Sequence, residues 1–178
     1  MAADRNPVTK RVALGGVFAA LSVAILWLGS LLPGYAIPTA AVAGLIPAAA
    51  ILTGSLRAGL AVYGVSGLLA LLLLPQKTAA IWYLVFFGHY GVVKSLAERL
   101  KRRAAEWGVK WAVYTAAFLI LYFLLRGAFA ALTDLIPLGV PAVYGIGLAV
   151  FFLYDLGFSR LIGLYLRRVG RNFGKGET

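Results

Sequence analysis

Long apolar runs, interrupted at five places, organise this chain. The interruptions are Pro33-Gly34, Gly54-Ser55-Leu56-Arg57, Pro75-Gln76-Lys77, a basic stretch over 94–110, and Thr133 to Pro141. Proline and glycine end helices because one lacks an N–H and the other relaxes backbone restraint. Six helices are therefore expected near 11–32, 37–54, 57–74, 78–103, 109–132 and 139–168. The fourth and sixth should continue past the apolar layer as basic, amphipathic ends.

Several runs approach the roughly 20 residues needed to cross about 30 Å of hydrocarbon. The chain is 62% hydrophobic and only 13% charged, with a mean hydropathy of +0.89. That is too apolar to cover a water-facing surface. The expected class is all-α: a polytopic membrane protein forming one six-helix bundle over 1–178, with no room for an extramembrane catalytic domain. Basic residues precede the first run, as in a signal peptide. Because the run from Val12 to Leu32 exceeds an ordinary signal core, a retained first span is expected.

The net charge of +11 would point to nucleic acid in a soluble protein. Sorted against the runs, it has another meaning. If the N-terminus is cytoplasmic, every Lys and Arg except Lys77 and Arg126 falls on inner segments. This asymmetry predicts both termini inside a cell membrane. Anionic lipid headgroups then account for the cations, and no nucleic-acid partner is expected.

Candidate chemistry inside the apolar layer is sparse. The acids are Asp4, Glu98, Glu106, Asp134, Asp155 and Glu177, none at the centre of a run. Ion-coupled transport normally requires such groups at mid-depth, where burial makes them costly unless they act. No metal-ligand cluster and no glycine-rich nucleotide loop is present, so no metal site and no cofactor is expected. Gly64-Val65-Ser66-Gly67 matches a GxSG serine pattern, and His89, the single histidine, should lie at similar depth. A Ser66–His89 hydrolase is one alternative; the plainer reading is that Gly64, Ser66 and Gly67 let helices approach closely.

The outer ends of the helices are richer. Trp82 and Phe86 are four apart on one helical face, with Gln76 and Lys77 just above. Trp27 and Tyr83 extend this aromatic wall, with Tyr35 in an external loop as part of a lid. Lys77 or Arg126 would neutralise an acidic ligand. On the first helix, Gly16, Ala20 and Ala24 recur every four residues, a spacing that lets another helix pack closely. At the inner boundary, Lys94 is expected to pair with Asp155, and Glu98 with Arg102 along a continuing helix.

Together these features resemble the substrate-binding S components of energy-coupling factor (ECF) transporters. Ala20-Leu-Ser-Val-Ala24 matches that family's AxxxA motif on the first helix, and Gly16 extends it. The resemblance implies a non-enzymatic subunit with both termini cytoplasmic, which captures a small-molecule nutrient, vitamin-like in class, in its outer half. It also implies that Gly16, Ala20 and Ala24 dock onto a transmembrane coupling subunit driven by two cytoplasmic ATPases. The rival reading is a membrane scaffold or assembly factor with no small-molecule ligand.

Overall fold

The computed structural model describes residues 7–173 apart from 101 and 137. Among these the structure is all helical. We label the helices α1 (Pro7–Leu31), α2 (Ala36–Thr53), α3 (Leu56–Leu73), α4 (Thr78–Ala97), α5 (Arg103–Leu124), α6 (Arg126–Leu135) and α7 (Val140–Phe173). All but α6 are long and apolar enough to cross a membrane. The protein is therefore a multi-pass membrane protein. It divides into two compact units, Met1–Arg126 and Gly127–Thr178.

Local chemistry sets most of the helix ends. Pro33 disfavours helical backbone at the residue before it, and Gly34 takes a φ of 83° that favours glycine. The Ser55 side chain accepts a hydrogen bond from the Ala58 N–H at 3.3 Å and caps α3. Leu74, ahead of Pro75, is already extended at ψ 135°. Within the helices, hydroxyls fold back on preceding carbonyls: Ser22 on Phe18, Thr53 on Ala49 and Thr115 on Trp111. Such bonding keeps polar groups satisfied where no water reaches.

In the first unit, short connections at 32–35 and 74–77 share one end, and those at 54–55 and 98–102 the other. Lys77 stands at the first end; Lys10, Arg11, Arg57 and Arg99 stand at the second. Its core is built from small residues and a few large ones: Ala40, Ala43, Ala48 and Ala50 of α2, Val62 and Ala70 of α3, and Tyr83, Phe87 and Tyr90 of α4 are all buried. Gly44 of α2 lies so close to α4 that an added Cβ would stand 2.6 Å from the Phe87 carbonyl oxygen. Gly67 of α3 is similarly pressed against Leu84, whereas Gly64 faces open space. Close approach thus explains one glycine of the GxSG pattern and not the other. Along α5, buried Lys110, Tyr114, Phe118 and Leu121 mark one face.

In the second unit, α7 follows Leu138 and Gly139, both with positive φ. Phe151, Asp155 and Phe158 are buried along one face of it.

The structure corrects three expectations. The fourth helix stops at Ala97 instead of 103, and the fifth begins at Arg103 instead of 109. Glu98 does not continue the helix toward Arg102. Its N–H closes on the Lys94 and Leu96 carbonyls, and its carboxylate turns back to the Lys94 ammonium at 3.2 Å. Second, the fifth helix ends at Leu124, not near 132; Leu125 leaves helical geometry at φ −115°, ψ 38°, and Arg126 opens a separate ten-residue helix. Third, α4 is not uniform: Tyr83–Phe87 form a π-turn. The other ends lie close to expectation, except that α1 starts at Pro7 and α7 runs to Phe173. Arg5, Lys101, Pro137 and Lys175, and the side chains of Arg167, Arg168 and Arg171, lie outside the described residues. The Lys94–Asp155 pairing would join the two units and stays an expectation.

Candidate functional site

The π-turn of α4 is the centre of the most chemically equipped region. Five bulky residues, Tyr-Leu-Val-Phe-Phe, widen the helix so that the Gly88 N–H reaches back to the Tyr83 carbonyl. Such single-turn widenings displace carbonyls from the regular ladder. Here the Leu84 carbonyl gains two side-chain partners. It accepts from the Tyr63 hydroxyl at 2.8 Å and from His89 Nδ1 at 3.3 Å. Since a carbonyl only accepts, this contact assigns a proton to Nδ1.

The Tyr63 ring lies 5.9 Å from that of Tyr83 and 6.1 Å from His89, edge-on to the latter. Room for these rings comes from Gly88, where a Cβ would stand 2.6 Å from Tyr63 Cδ2 and 2.9 Å from Tyr83 Cζ. The Tyr83 hydroxyl meets that of Ser66 at 2.7 Å, and Ser66 Oγ also reaches the Val62 carbonyl at 2.6 Å. Ser22 of α1 is also fully buried, its hydroxyl donating to the Phe18 carbonyl at 3.1 Å. On the other side of the turn, Phe86 is edge-on to Phe87 at 4.8 Å and to Tyr114 of α5 at 6.0 Å. Tyr114 in turn contacts Phe118 at 6.2 Å. Hydroxyls, one imidazole and aromatic faces therefore meet at one level of the bundle. They hydrogen-bond and stack on one another in the packed core. Among the described residues no group of three His, Cys, Asp or Glu is placed to hold a metal ion.

The expected site residues differ in burial. Trp82 and Phe86 are half-buried on α4, one helical turn apart. Tyr83, between them, turns into the core and is fully buried. Gln76 and Lys77 are exposed in the 74–77 connection. Lys77 also ties that end of α3, its ammonium donating to the Leu74 carbonyl at 2.6 Å and to Leu72 at 3.4 Å. Trp27 and Tyr35 are exposed; the Tyr35 carbonyl accepts from Thr39 Oγ1 at 2.6 Å and starts α2. Arg126 is exposed, its guanidinium 5.3 Å from the Phe123 ring centroid. Ser66 is bonded to Tyr83 and Val62, and His89 to Leu84, so the two residues of the hydrolase alternative serve different partners.

Sequence reading did not single out Tyr63, Ser22 or Tyr114. Tyr63 and Ser66 are three apart on α3, a spacing that places both on one face. That was the available signal.

On α1 the two faces differ. Ala19, Ser22 and Leu26 are buried, while Gly16, Ala20 and Ala24 are exposed, and a Cβ added at Gly16 would meet nothing within 4 Å. At the end with the 98–102 connection, two lysines are buried: Lys94, and Lys110, which pairs with Glu106 at 2.7 Å and lies 5.1 Å over the Trp107 ring.

The chain matches no protein-family model, no curated protein and no solved structure.

Proposed function

We propose that this protein is the substrate-binding subunit of a micronutrient uptake transporter of the ECF type, in the plasma membrane with both termini cytoplasmic. One observation carries the reading: α1 buries Ala19, Ser22 and Leu26 but leaves Gly16, Ala20 and Ala24 exposed, a small-residue face suited to a second membrane protein. In this reading that face meets a coupling subunit driven by two ATPases, and the chain itself performs no covalent chemistry. A vitamin-like ligand binds toward the Thr78 end of α4. Trp82, Phe86 and Trp27 are its aromatic surroundings, with Tyr83 supporting them from the core, Gln76 and Tyr35 lie at the opening, and Lys77 or Arg126 neutralises an acidic group. The basic end of the bundle meets anionic lipids.

Mass spectrometry of small molecules retained by the purified protein tests this. One metabolite should be retained by the wild type and lost from Trp82→Ala at unchanged thermal stability. Two ATPases and a membrane subunit should co-purify with the wild type and not with Ala20→Trp. Retention of no metabolite, with no thermal shift from any vitamin, would remove the ligand-binding reading.

A scaffold without ligand is the second reading. The tight packing at Gly44 and Gly88 and the complete burial of Tyr83 favour it, since they leave little space around the π-turn. It predicts co-purifying proteins and no metabolite.

A further inference from the structure

Beside the exposed stripe of α1, a groove of about 410 Å³ runs between α1 and α3. Its walls are Gly15 and Ala19 on one side and Ala58, Ala61 and Val65 on the other, with Arg11 at one end. From Ala58 to Val65 it extends about 10 Å at 1.5 Å per residue. A Cβ at Gly15 would meet nothing within 4 Å, so the groove is open as well as apolar.

At its Arg11 end the groove adjoins a smaller cavity of about 60 Å³, which shares Arg11, Gly15 and Ala58 and adds the polar residues Thr53 and Ser55. Arg11 makes no ion pair or hydrogen bond among the described residues. Lys10 and Arg57 stand at the same end, and no Asp or Glu occurs anywhere from residue 5 to residue 97. Two helices, α1 and α3, thus present cations with no carboxylate of their own to answer them.

We propose that the α1–α3 groove binds an anionic phospholipid, with one acyl chain laid between the helices and the phosphate set against Arg11 beside Thr53 and Ser55. The apolar walls lie on membrane spans, where acyl chains are the surrounding solvent. The uncompensated positive charge at one end selects a negative headgroup. A second copy of this chain would bring the same cations to the groove and be repelled. The site shares only Gly16 with the proposed docking face and does not depend on it.

Native mass spectrometry of the full chain in mild detergent, titrated with phosphatidylglycerol or phosphatidylcholine, tests the proposal. The first phosphatidylglycerol should bind more tightly than phosphatidylcholine. Arg11→Gln, at an exposed position, should weaken it about fivefold, as expected for one cation near a headgroup. Ala61→Phe, which fills the groove, should abolish that first binding event at unchanged melting temperature. Arg99→Gln, a cation that does not line the groove, should leave it intact. Glycerol 3-phosphate should not displace the lipid. Equal binding of the two lipids, or wild-type binding by both Arg11→Gln and Ala61→Phe, would overturn the site. So would full displacement by glycerol 3-phosphate, or a change of oligomeric state in Ala61→Phe with lipid binding intact.

Discussion

The hydroxyls of Tyr83 and Ser66 lie 2.7 Å apart in the core of the first unit, joining α4 to α3 where neither water nor lipid headgroups reach. Loss of either partner has different consequences. Tyr83→Phe leaves Ser66 bonded to the Val62 carbonyl, so it should cost about 1 kcal/mol. Ser66→Ala strands a buried phenol and should cost about 1–3 kcal/mol. The double variant should be less destabilised than Ser66→Ala alone. Thermal unfolding of the purified variants measures all three, and equal losses for the two single changes would contradict the assignment.

Glycines of this protein should respond oppositely according to what faces them. At Gly44 an added methyl meets the Phe87 backbone at 2.6 Å, which only movement of α2 against α4 can relieve. Gly44→Ala should therefore destabilise by about 1–3 kcal/mol, as overpacking does. At Gly64 nothing lies within 4 Å, and Gly64→Ala should be neutral or stabilising by up to about 1 kcal/mol through helix propensity.

The two buried lysines should also differ. Glu106 pairs with Lys110 at 2.7 Å and is 22% exposed, whereas Glu98 pairs with Lys94 at 3.2 Å and is 50% exposed. Solvent screening weakens the second pair more. Glu106→Gln should cost about 2 kcal/mol and Glu98→Gln below about 1 kcal/mol, both read from melting temperatures. A larger loss at Glu98 would reverse the ranking.

The absence of cysteine makes orientation directly measurable. With both termini cytoplasmic, Gln76→Cys should react with a membrane-impermeant maleimide in intact cells. Ser55→Cys and Arg99→Cys should react only after permeabilisation. The reverse pattern would invert the proposed topology.

Much of this architecture was legible in the chain because lipid imposes a simple rule: every backbone polar group must be satisfied within its own helix, so spans read directly as apolar runs. Pro33, Ser55 and Pro75 marked helix ends to within a residue because each acts on its immediate neighbours. The misread stretch, 98–109, illustrates where that rule lapses. Glu98 and Arg102 have helical spacing, and the residues between them give no local signal to stop. In the structure Glu98 pairs with Lys94, and helical geometry ends after Ala97 and resumes at Arg103.

The candidate site was only half legible for a related reason. Trp82, Tyr83 and Phe86 were found as an aromatic group, but composition could not say which of them faced inward. At the π-turn Tyr83 bonds Ser66, and the Leu84 carbonyl takes Tyr63 and His89.

From the sequence alone came the membrane class, six spans, the one-sided charge and the small-residue spacing on α1, all properties of a run of residues and its immediate neighbours. Only the tertiary structure decided that Gly16, Ala20 and Ala24 stay exposed, that Tyr83 is core, and that a groove opens beside Arg11. Those depend on which helices lie side by side, and contacts between residues far apart in the chain leave no period or composition to read.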